Sequence, residues 1–510
     1  MTQKILTIVL FLIFFIINSC TTDENNNTPQ EVIVAGKIDN YDPNTSVSLI
    51  VNRVGLINEA IDFKIDSEGN FYCVFETHIP LDAWMTYKTN FLIQLNPNDS
   101  LYVNFNGSPN NRPEILSTIR FGGSNAETNQ FIAKFQQMYY ADEIYYDWDK
   151  KNKAKKEYEP DEYIKYNDSV RQKGKAIYNR FVQEFSPNEQ SKKWASFFIE
   201  DNYYNNIAFY PGDHRTANNM DWENLWTVPQ GFFEVLGERL PISTSNLMNA
   251  YSLNSYVDRF SYYVNDKLRI RRDKIEVADW GIMPSGGLMG VSESFDSISI
   301  HSILEHVPDA LLKEMMLTNF FNRKFEKQDI TSFEKYNDIV ETYITQPFLK
   351  EPLHKKYIET KNRIEMPELN TVAIFKGVAS STINDIFNEI LESNKGKVIY
   401  IDFWATWCGP CLSEMPRSKQ IENELRNDDV SFIYICLESE KDKYLATISK
   451  YQLGGQHYFL SNEQSKDIRQ LFEIKGIPFY ILIDKKGIIK EQGSYLRPLV
   501  AKNKMQKLLN

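Results

Sequence analysis

Cysteine is scarce in this chain, with five thiols in 510 residues, at positions 20, 73, 408, 411 and 436. So few cannot build a disulfide scaffold. Histidine is scarcer relative to need: the six histidines form no close pair, and His301 and His306 lie five apart, off a common helical face. No second Cys or His pair stands by to complete a zinc site around Cys408 and Cys411. Cations fall short of anions, 57 Lys and Arg against 68 Asp and Glu, for a net charge of −11. Phosphate binding needs a basic surface, so nucleic acid is excluded as a partner. The Gly-rich stretch Ser285-Gly286-Gly287 with Gly290 lacks the lysine of a phosphate-binding loop. Long apolar runs are absent too. The longest near the start, Ile5 to Ile17, falls short of the about 20 residues that span a bilayer. The length implies about three domains, each able to bury a core.

What is present is a pair of thiols two residues apart, in Asp402-Phe403-Trp404-Ala405-Thr406-Trp407-Cys408-Gly409-Pro410-Cys411. Lys395-Gly396-Lys397 reads as a turn into the apolar run Val398 to Trp404, a buried central strand. Leu412, Met415, Ile421 and Leu425 then recur at near-helical spacing, with Pro416 predicted to kink the helix. Cys408 therefore sits at a strand-to-helix junction. There the free backbone N–H groups and the helix dipole stabilise a thiolate, the nucleophile of disulfide exchange. Cys411, one turn on, can close an internal disulfide and eject the product. A merely structural bridge across so short a loop would constrain the unfolded chain very little. Further strands are predicted at Val430 to Leu437, Phe479 to Asp484 and Ile488 to Gln492, with a hairpin turn at Asp484-Lys485-Lys486-Gly487 and a helix over Lys441 to Gln452.

These motifs make residues about 370–510 resemble a thioredoxin fold, in the TlpA/ResA-like branch of bacterial envelopes. The resemblance rests on FWATWCGPC, on Glu414 and Pro416 just after it, and on Gly476-Ile477-Pro478 about 70 residues later. It implies a cis proline at Pro478 facing the dithiol, with Ile477, Trp407, Gly409 and Pro410 shaping the substrate groove. Asp402, six residues before Cys408, matches the buried carboxylate of thioredoxins. Burial would raise its pKa and let it take the proton of Cys411. Glu414 matches an acid of the TlpA/ResA-like branch and could serve the same end. The lysine that thioredoxins often set beside the buried acid is missing, since none occurs between Val430 and Leu437. Cys436, within an apolar strand, reads as an inert packed thiol, as does Cys73.

At the other end, Met1-Thr2-Gln3-Lys4, the apolar run and Asn18-Ser19-Cys20 read as a cleaved signal peptide over residues 1–19. Ile17-Asn18-Ser19-Cys20 resembles a lipobox, which implies that Cys20 is acylated as a membrane anchor. Residues 20–30, polar and Asn-rich, form a flexible tether. Residues 31–120 show short alternating runs between turn clusters and are expected to form a small antiparallel β-sandwich. They resemble the β-domain of unknown function that often precedes thioredoxin modules in envelope lipoproteins. Residues 124–365 read as mostly helical, with Phe131, Phe135 and Met138 on one face and Tyr163, Tyr166 and Val170 on another. The basic stretch Lys151 to Lys156 reads as a solvated helix face, and the aromatic stretch Trp194 to Tyr210 as core.

The expected architecture is thus an α/β thioredoxin fold over residues 366–510, preceded by the β-sandwich and the helical region. The expected function is an envelope lipoprotein, anchored in the outer membrane and facing the periplasm or the surface. It reduces or isomerises disulfides of exported proteins, is re-reduced by a membrane electron donor, and needs no dissociable cofactor or metal. The Gly409-Pro410 dipeptide matches reducing thioredoxins, whose potentials lie near about −270 mV. Two alternatives stay open: a disulfide-donating oxidase, and a peptide- or glycan-binding lipoprotein with an accessory redox domain.

Overall fold

The computed structural model describes residues 28–56, 58–218, 226–237, 244–249, 253–257, 292–378, 381–426 and 428–509, with isolated positions between 220 and 289. The signal peptide, Cys20, most of the tether, and Ser285-Gly286-Gly287 with Gly290 lie outside them.

Alternation of apolar and polar residues sets the N-terminal sheets. Asn70–Thr77 buries every second side chain, as a strand with one wet face must. It joins a five-stranded sheet in the order Lys64–Ile65, Asn70–Thr77, Gln30–Asp39, Ser100–Asn106, Arg120–Gly123. Gln30–Asp39 pairs antiparallel with Asn70–Thr77 and parallel with Ser100–Asn106. A second, four-stranded sheet runs Glu59–Asp62, Ser48–Val51, Leu81–Tyr87, Thr89–Leu95. Tyr87 and Phe91 of this sheet pack edge-on against Phe105 of the first. The strand Leu81–Tyr87 is one that periodicity alone did not pick out. It is buried at five of seven positions, and the buried Asp82 and the apolar Trp84 blur its alternation.

The neighbouring strand is covered by a helix. Thr89–Leu95 is the outer strand of its sheet, and Ala126–Ala141 lies across it. Gln136 donates to the Leu92 carbonyl at 2.8 Å and accepts from the Leu92 amide at 2.9 Å. Asn129 repeats the exchange with Gln94, 2.8 Å in both directions. Two carboxamides thus satisfy backbone groups that an edge strand otherwise leaves free.

The helices that follow include the long pair Pro160–Phe185 and Glu189–Ala217, then Ala310–Glu326 and Pro347–Glu365. Trp194 and Tyr210 are fully buried, as expected of core. Sheets and helices share one apolar cluster that runs from Val32 to Leu353. N-terminal sheets and a helical middle are therefore both present.

The C-terminal part has a six-stranded sheet, comprising β1 (Ile374–Lys376), β2 (Val398–Trp404), β3 (Val430–Cys436), β4 (Gln456–Phe459), β5 (Phe479–Ile483) and β6 (Ile489–Gly493). Its order is β1-β4-β3-β2-β5-β6. The pairs β1–β4, β4–β3 and β3–β2 are parallel, whereas β2–β5 and β5–β6 are antiparallel. The helices are α1 (Ile383–Ser393), α2 (Gly409–Glu424), α3 (Lys441–Tyr451), α4 (Asn462–Leu471) and α5 (Pro498–Leu509). Period-2 alternation sorts the two faces. Val398, Tyr400 and Trp404 join α2, α3 and α5 on one side, and Ile399, Ile401 and Phe403 join α1 and α4 on the other. With both faces covered, all seven residues of β2 are buried. The β5–β6 hairpin turns at Asp484–Gly487, where Gly487 takes φ +79° and Asp484 Oδ1 accepts the Lys486 and Ile488 amides.

Two joints hold this part to the helical region. Glu326 accepts from Lys450 of α3 and pairs with Lys356 at 3.3 Å. Asp329 lies 3.8 Å from Lys443, and Pro347–Glu365 lies against α3. Among the described residues no helix is long and apolar enough to cross a membrane.

Candidate active site

Cys408 is the N-cap of α2, with Gly409 and Pro410 opening the helix. Proline suits the first turn because its missing N–H would have had no partner there. Cys408 Sγ accepts from the Cys411 amide at 3.2 Å, so the sulfur sits on the helix's free donors. Cys408 and Cys411 are joined as a disulfide, with Cα atoms 5.3 Å apart. Pro416 lies inside α2, and the helix continues through it to Glu424.

Both sulfur-bearing residues are buried, yet their chain neighbours Trp407, Gly409 and Pro410 are exposed. Trp407 is held in place by an Nε1 hydrogen bond to the Glu438 carbonyl at 2.8 Å. The Ile477–Pro478 peptide bond is cis, as the resemblance implied. Ile477 is half-buried and packs on the apolar clusters of both faces of the sheet. A groove of about 280 Å³ opens beside Trp407. Its near wall is Thr406, Glu438, Ser439 and Lys443, and its far wall is Lys327 and Asp329 from the helical region.

Asp402 lies under this rim. Even positions of β2 face α2, so Asp402 shares the face of Tyr400, Trp404 and the two cysteines. It is 2 % exposed, and burial pushes its carboxyl up to about 8, with the Glu414 carboxylate adding to the rise. Asp402 Oδ1 has no hydrogen-bond partner among the described residues. The register sets Tyr434 of β3 and Tyr480 of β5 on either side of it. Tyr434 thus stands beside Asp402 on a strand that carries no lysine from Val430 to Leu437. Glu414 is half-buried and bonded to Arg497 Nη1 at 2.7 Å, which places it beside α5 and not free in solvent.

Sequence reasoning missed Tyr434, Tyr480, Arg497, Lys327 and Asp329. Tyr480 had a faint signal, two residues after Pro478 in a strand. The others come from register or from distant segments that carry no motif. Cys436 is fully buried on the dithiol face, and burial pushes its thiol up to about 12; Cys73 behaves alike. Neither offers a nucleophile near neutral pH.

A family model described as thioredoxin-like matches residues 396–489. Thiol-disulfide oxidoreductase ResA of Oceanobacillus iheyensis is 26 % identical over 125 residues, which are 24 % of this chain and 60 % of that protein. Thioredoxin-like protein YneN of Bacillus subtilis is 29 % identical over 98 residues, 19 % of this chain and 45 % of that protein. This chain therefore spans less than two thirds of either relative. Among solved structures, the thioredoxin domain of a thiol-disulfide oxidoreductase from Bacteroides vulgatus is 25 % identical, covering 24 % of this chain and 84 % of that one, with a TM-score of 0.22. The segment from Gly396 to Ile489, with its bonded Cys-Gly-Pro-Cys at a helix start, is thioredoxin-like and is similar to curated thiol–disulfide oxidoreductases.

Proposed function

We propose that the chain is an envelope lipoprotein that reduces or isomerises disulfides of exported proteins. The observation that carries this reading is the placement of Cys408 at the start of α2, under an exposed rim and above a buried acid. Cys408 as thiolate attacks one sulfur of a client disulfide, forms a mixed disulfide and releases the client's other sulfur as thiolate. The thiol of Cys411 gives its proton to the ionised Asp402 carboxylate and attacks Cys408 Sγ. That frees the second client thiolate and leaves the domain as the disulfide seen here. A carboxyl near 8 can accept and return a proton around neutral pH. Glu414 adjusts the charge around it. Trp407, Gly409, Pro410, Ile477 and Pro478 border the client segment, and Lys327 and Asp329 extend that border into the helical region. Two electrons must then arrive from a membrane donor to reset the pair.

The N-terminal sequence supports the site of action: acylation at Cys20 and the polar tether would hold the β-sandwich, helical and thioredoxin-like regions outside the cytoplasm, at the outer membrane. The Gly409-Pro410 pair supports the direction of electron flow.

The test uses the full chain with Cys411→Ser. The variant is expected to reduce no insulin and to accumulate mixed disulfides with exported proteins in growing cells. A variant that collects no client would sink the exchange reading. Acid-quenched thiol trapping then fixes direction: a mostly reduced Cys408–Cys411 pair fits a reductase or isomerase, and a mostly oxidised one reverses the flow.

A further inference from the structure

A cavity of about 580 Å³ lies between the four-stranded sheet and the helices Ala126–Ala141, Trp148–Glu157, Pro160–Phe185 and Glu189–Ala217. Sites for small organic ligands span about 300–1,000 Å³, so it has the right size. It lies outside residues 396–489 and shares none of their chemistry.

Its walls are chemically one-sided. Arg112, Lys151 and Lys155 line it and no carboxylate does, in a chain with 68 acidic residues. Lys155 is engaged by Asp213 at 2.8 Å, but Arg112 and Lys151 make no ion pair among the described residues. The Arg112 guanidinium sits 4.1 Å from the Tyr140 ring and 5.6 Å from the Tyr145 ring. It donates to the Tyr145 hydroxyl at 3.2 Å and to Asn90 Oδ1, and its Nε has no partner among the described residues. Lys151 Nζ lies 4.9 Å from the Tyr145 ring and 5.4 Å from the Trp148 ring, and donates to the Tyr145 carbonyl at 3.2 Å. Burial and the neighbouring Lys155 pull the Lys151 ammonium below its ordinary range, against a smaller opposing pull from Asp147. The stretch Lys151 to Lys156, read from sequence as a solvated face, thus turns Lys151 and Lys155 inward.

Two desolvated cations on aromatic faces call for an anion, and Arg prefers a carboxylate it can grip through two N–H groups. Five carboxamides also line the cavity. One of them, Asn167, is 1 % exposed and its Oδ1 is without a partner among the described residues. A purely apolar acid would leave such groups buried and unserved, which is costly. Hydroxyls on a ring would serve them, while the ring's C–H face lies on tyrosine and tryptophan.

We propose that this cavity binds an acidic sugar, its carboxylate held by Arg112 and Lys151, its ring stacked on Tyr145 and Trp148, and its hydroxyls met by Asn167 and Asn206. The probe is digalacturonic acid, titrated calorimetrically into the full chain. Saturable binding is expected, with Kd raised about tenfold or more by Arg112→Gln and lost in Arg112→Gln/Lys151→Gln, since each removes a charge-assisted bond. Trp148 is 56 % exposed at the mouth, so Trp148→Ala should weaken binding while leaving the fold intact. Insulin reduction should stay unchanged in every variant, which separates this site from the dithiol. No saturable heat with digalacturonate overturns the proposal. So does equal binding of neutral cellobiose, tighter binding of 4-hydroxyphenylacetate, or affinity indifferent to both Arg112→Gln/Lys151→Gln and Trp148→Ala.

Discussion

Replacing Asp402 by asparagine should make this protein more stable, and more so the higher the pH. The carboxyl stands near 8 in the folded domain against 3.8 ordinarily, because burial disfavours its charge. Below pH 3.8 both folded and unfolded chains hold the proton, and the group contributes nothing. Between those values the folded domain keeps a proton that the unfolded chain has released. Stability therefore falls as pH rises through this window, by about 1.4 kcal/mol per unit. Above the folded value both states are ionised and the cost is complete, on the order of 5 kcal/mol. Asparagine has the same shape and cannot ionise. Hydrogen exchange of the β2 amides reads the opening of this domain alone, which avoids treating a multidomain chain as two-state. At about pH 8.5 Asp402→Asn should protect those amides by about four powers of ten more than the parent, and at about pH 4 by a small factor only. The same variant should release client from the Cys408 mixed disulfide more slowly, with the parent's pH midpoint near 8 abolished. A protection ratio that stays flat across this range would refute the account of a buried, proton-holding acid.

Glu414→Gln removes the like charge beside Asp402, so the midpoint for client release should move to lower pH; a move upward would contradict the assigned cause. Glu326→Gln strands Lys450, whose side chain is only 14 % exposed, and should cost about 2–5 kcal/mol at the joint between α3 and the helical region. Faster proteolysis between residues 366 and 372, with insulin reduction retained, is the expected readout. Gln136→Leu leaves the Leu92 amide and carbonyl without their side-chain partner and should lower the unfolding free energy of the N-terminal region by about 2–4 kcal/mol, seen as an earlier thermal transition.

The dithiol could be found from sequence because its meaning is local. Strand, turn and helix lie within the stretch from Val398 to Glu424, and spacing alone puts Cys408 at the junction. Asp402 was legible for the same reason, since period 2 within one strand fixes its face. Its surroundings were not. Tyr434 and Tyr480 read as ordinary apolar-strand residues until register sets them beside the acid. Arg497 reaches Glu414 across 83 positions, and no pattern in either segment announces the other. Leu81–Tyr87 was hidden because Asp82 is buried among its apolar residues and Trp84 stands on its other face, which blurs the polar alternation by which strands are recognised. Lys151 and Arg112 were illegible for a different reason: a cation in an amphipathic helix reads as solvated unless the opposing wall is known.

The amide exchange of Asn129 and Gln136 with Gln94 and Leu92 also sets a rule for the growing polypeptide. Thr89–Leu95 leaves the ribosome or the translocation channel before Ala126–Ala141 does. In that interval the strand's outer rim has its donors and acceptors bare, a template on which another nascent copy can add. The β-region therefore becomes safe from self-association only when the chain has advanced past Ala141. A fragment cut just after Gly123, where the last strand of this region ends, would carry the adhesive rim permanently, whereas one carried through Ala141 would bring its own seal.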